Sequence, residues 1–426
     1  MEAVRMTIYP DGFTGALMAV ESFEDGRAVL HGPGGCRGYH SYAISRCYSK
    51  ARQGDYEKYS VPYFFGQPRV PCTYMDEDDY IHGSDHKIKE SLPILCSDGD
   101  VFNVFIRSPG AALIGDNITD AIERAGFSDK AMAVEESLIS QPFSSGYDHT
   151  VRTILKWMRP EKRGTLPGTV NILGLPISSN DWEDALEDLK HLLELIGLRV
   201  LSSPGAGCSR RDVSESVAAE FNVIVSSEYC ARTAKFYEEE YGIPAISCDS
   251  GSPVGFDAVE EWIKTIASET GKSADRAEEL IRDRRERVFR RIKGCLYTNK
   301  VKCNDFVAMA DGSVLLPLIG WLYDYLGMIP ESVTPDPGGD EETAVRIRSL
   351  LRSMGAEDAW RSDPASRKTD FAFADGHTAE MLEMTGSCFK GIDIGYPSLA
   401  RTRFLPRPIY GLSGAMYLLD EIFSKE

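Results

Sequence analysis

The stretch Val170-Asn171-Ile172-Leu173-Gly174, continuing through Leu175 to Asn180 and Asp181 into Trp182, Ala185, Leu186, Leu189, Leu192, Leu193 and Ile196, decides how this chain folds. Its first five residues are a short apolar run of the kind buried on both faces as a strand, and the Pro- and Ser-containing connection after them cannot continue it. The apolar residues beyond Asp181 recur at i, i+3, i+4 and i+7, which puts them on one face of a helix that Asp181 is placed to cap. Gly197 closes that helix, and Arg199-Val200-Leu201 opens another strand. Strand, helix and strand in this order make a βαβ unit, whose two strands must run parallel with a helix covering the sheet.

The pattern repeats outward. Phe221 to Val225 reads as a strand, Arg232 to Tyr241 as a helix, Gly242 to Ile246 as a strand and Asp257 to Ile266 as a helix, so residues from about Thr169 to Thr270 form one α/β domain. Ala274 to Lys293, with alternating acidic and basic residues, is a solvated connecting helix. Ala310-Asp311-Gly312-Ser313 follows, then an apolar helix from Val314 to Leu326 and a polar stretch near Pro335 to Glu342. Before Thr169 the chain is richer in Gly, Pro, aromatic and Cys residues, a loop-heavy composition on which chemistry tends to collect.

Composition sets the outer limits. The 426 residues are enough for two or three domains at roughly 150 residues each. With 42% apolar and 26% charged residues, the chain is an ordinary globular one. Its net charge of −18 makes phosphate backbones and anionic lipid poor partners. The ten cysteines are spread along the whole length without a CxxC pair, and the N-terminus lacks a basic-apolar-small leader pattern, which points to reducing cytoplasm. No apolar run reaches the roughly 18 residues of a membrane span.

Three loops in the first third of the chain stand out. His31-Gly32-Pro33-Gly34-Gly35-Cys36-Arg37-Gly38 follows a strand at Arg27 to Leu30. Its glycines let backbone pass close to a bulky group, and its thiol suits a soft metal or a sulfide cluster, although a plain strand-to-helix turn with a buried thiol fits as well. Met75 to His86 is an acidic run with His82 and His86 four apart and Cys72 nearby; zinc is one reading, but Asp79 to Asp85 serves better as the start of a helix reaching Leu92. Ser108-Pro109-Gly110 to Ile118 follows an apolar strand at Val101 to Ile106, and its small residues allow a ligand or a neighbouring chain to approach, or simply make a tight turn. Gly271-Lys272-Ser273 imitates the end of a phosphate loop without the upstream glycine or a leading strand, and Cys295 and Cys303 form a lone pair of structural character.

Taken in order, His31-Gly-Pro-Gly-Gly-Cys36, Asp79-Tyr-Ile-His-Gly83, Leu113-Ile-Gly-Asp116, Tyr241-Gly-Ile-Pro244, Ser252-Pro-Val-Gly255, and Gly395-Tyr-Pro397 with Gly411-Leu-Ser-Gly414-Ala415 resemble the nitrogenase component 1 family. That family includes the light-independent protochlorophyllide reductase subunits and the nickel-tetrapyrrole reductive cyclase. The resemblance implies an α/β fold of three Rossmann-like domains, each a mostly parallel sheet flanked by helices. It places them at 1–165 (the cluster and interface domain, completed by a C-terminal helix at 411–426), 166–272 and 273–410. It further implies an iron–sulfur cluster, 4Fe-4S or larger, shared with a partner subunit, an α-like partner chain in a heterotetramer that can carry a further metallocofactor, and electrons from an ATP-hydrolysing Fe-protein-like reductase.

The departures from the family pattern narrow the role. Members that hold the inter-subunit cluster fully supply three cysteines. Here only the middle one, Cys36, is in place; the first would fall near Pro10-Asp11-Gly12 and the third falls at Ser108-Pro109. In protochlorophyllide reductase one subunit gives three cysteines and its partner gives one residue from this middle loop, a role open to Cys36, with Asp11 and Cys72 as further metal-ligand candidates. Gly32, Gly34, Gly35, Ser108 and Gly110 are the candidates for close backbone approach to the cofactor. The position of the cofactor cysteine in the nitrogenase α subunit falls at Ser226-Ser227, with Cys230 about one helical turn away, and Tyr410 stands in the neighbourhood of the cofactor histidine. The chain thus resembles the β-type partner: a reductase subunit, with a cofactor-assembly scaffold or a cluster-free structural partner as alternatives. No catalytic residue and no substrate follow from the sequence.

Overall fold

Every strand pairing between the named strands of this protein is parallel, as the βαβ reading requires. The structure, a computed structural model, describes residues 10–48, 50, 69–97, 99–295, 304–398 and 404–424. The chain divides into two compact units, Pro10–Glu161 with Pro204–Glu215, and Lys162–Ser203 with Ser216 onward.

In the first unit, α1 (Gly12–Glu21) leads to β1 (Gly26–His31), α2 (Arg37–Cys47), α3 (Glu77–His82), α4 (Asp85–Leu95), β2 (Phe102–Arg107), α5 (Ile118–Ala125), β3 (Ala131–Val134) and α6 (Phe143–Met158). The strands lie in the order β1-β2-β3. Val29 and Phe105 pack with Ile88 and Leu92 of α4 and Ile118, Ala121 and Ile122 of α5 in one apolar cluster, so these helices cover the sheet by burying the stripes that their periodicity presents. All ten residues of α1 are buried, because its Gly and Ala content lets α6 lie almost against its backbone. Residues 204–215 join this unit through Arg210, whose guanidinium stacks 5.1 Å from the rings of both Phe102 and Trp157 and whose backbone N–H donates to Asp25.

The second unit holds two four-stranded sheets. The first is built from β4 (Thr169–Leu173), α7 (Trp182–Leu195), β5 (Arg199–Ser202), β6 (Phe221–Ile224), α9 (Ala231–Tyr241), β7 (Ala245–Ile246) and α10 (Gly255–Glu269), the chain passing through α8 (Arg210–Ser216) between β5 and β6. After α11 (Asp275–Cys295) come β8 (Asp305–Ala310), α12 (Gly312–Leu326), β9 (Ile329–Pro335), α13 (Glu341–Ser353), β10 (Thr369–Asp375), α14 (Gly376–Met384), β11 (Cys388–Gly395) and α15 (Gly411–Phe423). The strand orders are β5-β4-β6-β7 and β11-β10-β8-β9, each doubly wound about a switch point, between β4 and β6 and between β8 and β10. Three parallel sheets flanked by helices are therefore present, as the family resemblance implied.

Three details differ from the sequence reading. The C-terminal helix does not complete the N-terminal domain. It belongs to the second unit, where Ser413 N–H donates to Asp188 of α7 at 2.8 Å and Gly411 N–H to Pro253 O, just before α10, at 2.9 Å. The run Asp79 to Asp85 does not start one helix: Gly83, at φ +88°, breaks it into α3 and α4, and Asp79 closes a capping box with Asp76 at the start of α3. Asp181 precedes α7 in a left-handed conformation without capping it; its carboxylate accepts from Arg407 N–H at 2.6 Å instead.

Glycines in two helices give opposite expectations. A methyl on Gly146 of α6 would sit 2.0 Å from Gly12 O, whereas on Gly320 of α12 it would meet only Leu350 Cδ2 at 3.9 Å. Gly146→Ala is expected to cost about 3 kcal/mol by forcing α1 from α6, and Gly320→Ala to gain about 0.5–1 kcal/mol from helix propensity, both read from urea-denaturation midpoints.

Candidate functional site

Parallel strands deliver their following loops to one edge of a sheet, and the three sequence loops meet there at the C-terminal ends of β1 and β2. Loop one runs from Gly32 to Cys36, its last three residues forming a 3-10 turn ahead of α2. The segment Pro71 to Met75 lies along the other side of β1: Leu30 N–H donates to Pro71 O, Thr73 N–H to Leu30 O and Met75 N–H to Gly32 O, at 2.8 to 3.0 Å. Loop three leaves β2 at Ser108, whose N–H donates to His31 O at 2.9 Å.

His31 sits at the centre, fully buried. Its Nδ1 lies 3.2 Å from Thr73 Oγ1 and its Nε2 3.0 Å from Ser84 Oγ, and Ser84 Oγ donates to Asp116 Oδ2, which also accepts from Ser84 N–H at 3.0 Å. Arg107, at the end of β2, donates to Asp116 O and to the Glu135 carboxylate, fixing the course of loop three. Lys87 of α4 reaches back to Asp76 and Asp79, 2.9 Å from each, and to Tyr74 O at 2.7 Å, so α3 and α4 are latched together across Gly83. Burial holds the His31 ring well below the ordinary imidazole value, at about 4, and burial does the same to His40 of α2.

The sequence-predicted residues fall as follows. Gly32 touches Ser108: a methyl there would be 2.1 Å from Ser108 Oγ, so only glycine lets loops one and three meet. Gly34 lies under the Tyr74 ring, over which Arg37 stacks at 4.9 Å, Gly110 faces Tyr80, and Gly35 has open space beside it. Ser108 is buried and accepts from Ala111 N–H. Cys72 is half-buried, its thiol donating to Gly32 O at 3.1 Å and accepting from Tyr74 N–H. Asp11 caps α1 by accepting from Thr14 N–H and Oγ1. Cys36 is placed by its backbone alone, and its side chain lies outside what the structure describes, as does Cys303. His86 pairs with Asp79 at 3.4 Å while His82 is exposed, and among the described residues no three His, Cys, Asp or Glu side chains gather as a metal site. Among other thiols, burial pushes Cys47 and Cys388 up to about 12, which keeps them protonated packing groups.

In the second unit, Ser226 and Tyr410, 184 positions apart, lie 3.1 Å apart oxygen to oxygen. Ser226 Oγ also meets Ser252 Oγ at 2.8 Å, Ser252 Oγ donates to Ser313 Oγ at 3.1 Å, and all four residues are buried. The Cys230 thiol turns away to donate to Ser226 O, and burial raises the Tyr410 phenol, keeping it protonated. This neighbourhood is a packed set of hydroxyls beside the switch point between β4 and β6.

A family model described as nitrogenase component 1 type oxidoreductase matches residues 12–425. The chain is 22% identical to a nitrogenase molybdenum-iron protein beta chain from Methanococcus maripaludis, the match covering 96% of this chain and 91% of that one. It is also 22% identical to the nitrogenase iron-molybdenum cofactor biosynthesis protein NifE of Bradyrhizobium diazoefficiens, over 96% and 72%. A match at 23% to the nitrogenase molybdenum-iron protein alpha chain of Methanosarcina barkeri covers 70% of this chain but 54% of that relative. A solved structure titled "Nitrogenase Cp1 at pH 6.5" shares the fold at a TM-score of 0.75 and 17% identity, over 99% of this chain and 92% of that one.

The two buried histidines give the protein a defined acid sensitivity. Their folded values, about 4, lie below the ordinary 6.5, so the unfolded chain binds the extra protons first, and stability complete above pH 6.5 falls as pH drops toward 4. Urea denaturation at pH 7 and pH 5 is expected to differ by about 2 kcal/mol per histidine from this source, and His40→Gln to remove about half of that difference.

Proposed function

The chain belongs to the nitrogenase component 1 type oxidoreductase family, and from that premise we propose that it is the β-like subunit of a nitrogenase-like reductase complex. In this reading Cys36 helps hold an iron–sulfur cluster shared with an α-like partner, and an ATP-dependent Fe-protein-like reductase supplies the electrons. The observation that carries the reading is the surface around the Cys36 loop. Tyr39 at 53% exposure, Ile81 at 71% and Leu113 at 88%, with Tyr42, Tyr74 and Tyr80, leave a band of apolar and aromatic side chains in solvent on α2, α3 and the second and third loops. Such a band is the surface a partner chain would cover.

The donors of this chain fit a shared cluster better than a self-contained one. Ser108 stands where a third thiol would be, with its hydroxyl engaged by the loop backbone, and Asp11 is occupied as a helix cap. Cys36 and half-buried Cys72 are the remaining soft donors near loop one, and the open side of Gly35 leaves room for a bulky group. A bound iron–sulfur cluster supplies one-electron transfer. The residues of this chain would hold one corner of it, exclude water through the loop packing, and present backbone N–H groups that tune its potential.

The hydroxyl set at Ser226 and Tyr410 supports the β-type assignment. Ser226, of the pair Ser226-Ser227 that the resemblance sets at the cofactor cysteine of the nitrogenase α subunit, and Tyr410, in the neighbourhood of the cofactor histidine, are hydrogen-bonded neighbours carrying hard oxygen donors engaged with one another. A metallocofactor would then belong to the partner. The similarity to NifE, whose name describes cofactor biosynthesis, favours a second reading as an assembly scaffold.

Iron and sulfide counts on the anaerobically purified complex are expected to fall by half or more in Cys36→Ala, and unchanged counts would overturn the ligand assignment. ATP- and reductase-dependent turnover by the loaded complex marks the enzyme; retained iron without turnover under any donor marks the scaffold.

A further inference from the structure

Full burial keeps the His31 ring neutral, and for a neutral ring the hydrogen bonds around it have one consistent direction. A carboxylate accepts only, so Ser84 Oγ must donate its proton to Asp116 Oδ2 and must accept from His31 Nε2–H. With its proton on Nε2, the ring presents a bare Nδ1, which accepts from Thr73 O–H, and Thr73 Oγ1 in turn accepts from Gly32 N–H at 3.1 Å. The chain therefore runs from Gly32 in loop one, through Thr73 and the imidazole, to Ser84 at the start of α4 and Asp116 in loop three. Every member of it except Asp116 is buried, and its four bonds join residues of three loops that are 32 to 53 positions apart in the chain. Ser84 is the second hinge of the chain, its hydroxyl meeting loop one at His31 and loop three at Asp116.

We propose that His31, as a neutral imidazole protonated on Nε2, is the positioning residue of the Cys36 loop, clamping that loop to Ser84 and Asp116 so that its backbone is fixed before any partner or cluster arrives. The proposal rests on the reading of Cys36 as a cluster ligand only for its purpose; the clamp itself stands on the four bonds. A bland alternative is a satisfied buried histidine whose loss loosens the whole unit without preference.

The effects of the two readings differ in where they fall. In the full-length chain, hydrogen exchange of the amides of Gly32, Met75 and Ser84 is expected to accelerate at least tenfold in His31→Gln, in Ser84→Ala and in Asp116→Asn. Amides of β3 and α6 should stay within twofold of wild type. The variants act through one chain of bonds, so His31→Gln combined with Asp116→Asn should accelerate the loop amides no further than His31→Gln alone. Alkylation of Cys36, followed by mass spectrometry with Cys248 as the internal reference, should change at least fivefold in the same variants. Histidine 15N spectra of the wild type should show one ring with Nε2 protonated and Nδ1 bare.

Uniform acceleration across the unit, additive double variants, or a His31 ring protonated on Nδ1 would each overturn the clamp. Should His31→Gln fail to fold, Thr73→Val, which removes the hydroxyl that bonds both Gly32 and His31 while keeping nearly the same shape, carries the same expectations for Gly32 and Cys36. If Cys36→Ala leaves the iron count of the complex unchanged while the loop amides still respond to His31→Gln, the cluster reading fails and the clamp survives.

Discussion

The constraint on which the rest of this molecule depends is the parallel pairing of its strands. Two parallel neighbours need a crossover between them, so each strand must hand its chain to a loop on the same edge. In the first unit that geometry brings the ends of β1 and β2 together, with the segment Pro71 to Met75 drawn alongside β1. In the second unit the strand order reverses between the paired strands β4 and β6, and the loops that follow them diverge there. Chemistry-bearing residues far apart in the chain share a neighbourhood because the sheets leave them nowhere else to go.

What could be read from the sequence follows from the range of each physical effect. The βαβ unit around Val170 and the long apolar helices were legible because strand and helix periodicity acts over a few residues, and α7, α10 and α12 carry it cleanly. The break between α3 and α4 is signalled by Gly83 with the turn-forming Ser84 and Asp85, which argue against one helix face through this run; only the acidic residues, which suit a helix start, favour the single helix. The placement of α15 depended on bonds to Asp188 and Pro253, more than 150 residues away in the chain, and no local pattern encodes those.

The site was legible in outline and not in its wiring. Motif order brought three loops forward, and Ser226 and Tyr410, singled out separately in the sequence, are adjacent in the fold. The hub at His31 escaped notice because Thr73 and Ser84 are ordinary residues whose importance lies in what they touch. Asp11 drew attention by position near a missing cysteine, whereas its carboxylate serves the first turn of α1. Nearness in the chain to a motif is a weaker guide than the question of which hydrogen bonds a side chain has already committed.

The saturated hydroxyls of Ser226, Ser252, Ser313 and Tyr410 carry a consequence for how such a chain can change over time. Each oxygen has a neighbour that depends on it, so replacing any one of them leaves a buried polar group stranded, at a cost of about 1–3 kcal/mol. Introducing a thiol at one position and an imidazole at another would require the intermediates to survive that deficit, and the tyrosine ring would have to vacate its place in the same step. The set of mutually satisfied hydroxyls therefore works as a barrier: any path from it to a metal-bearing pocket passes through less stable proteins.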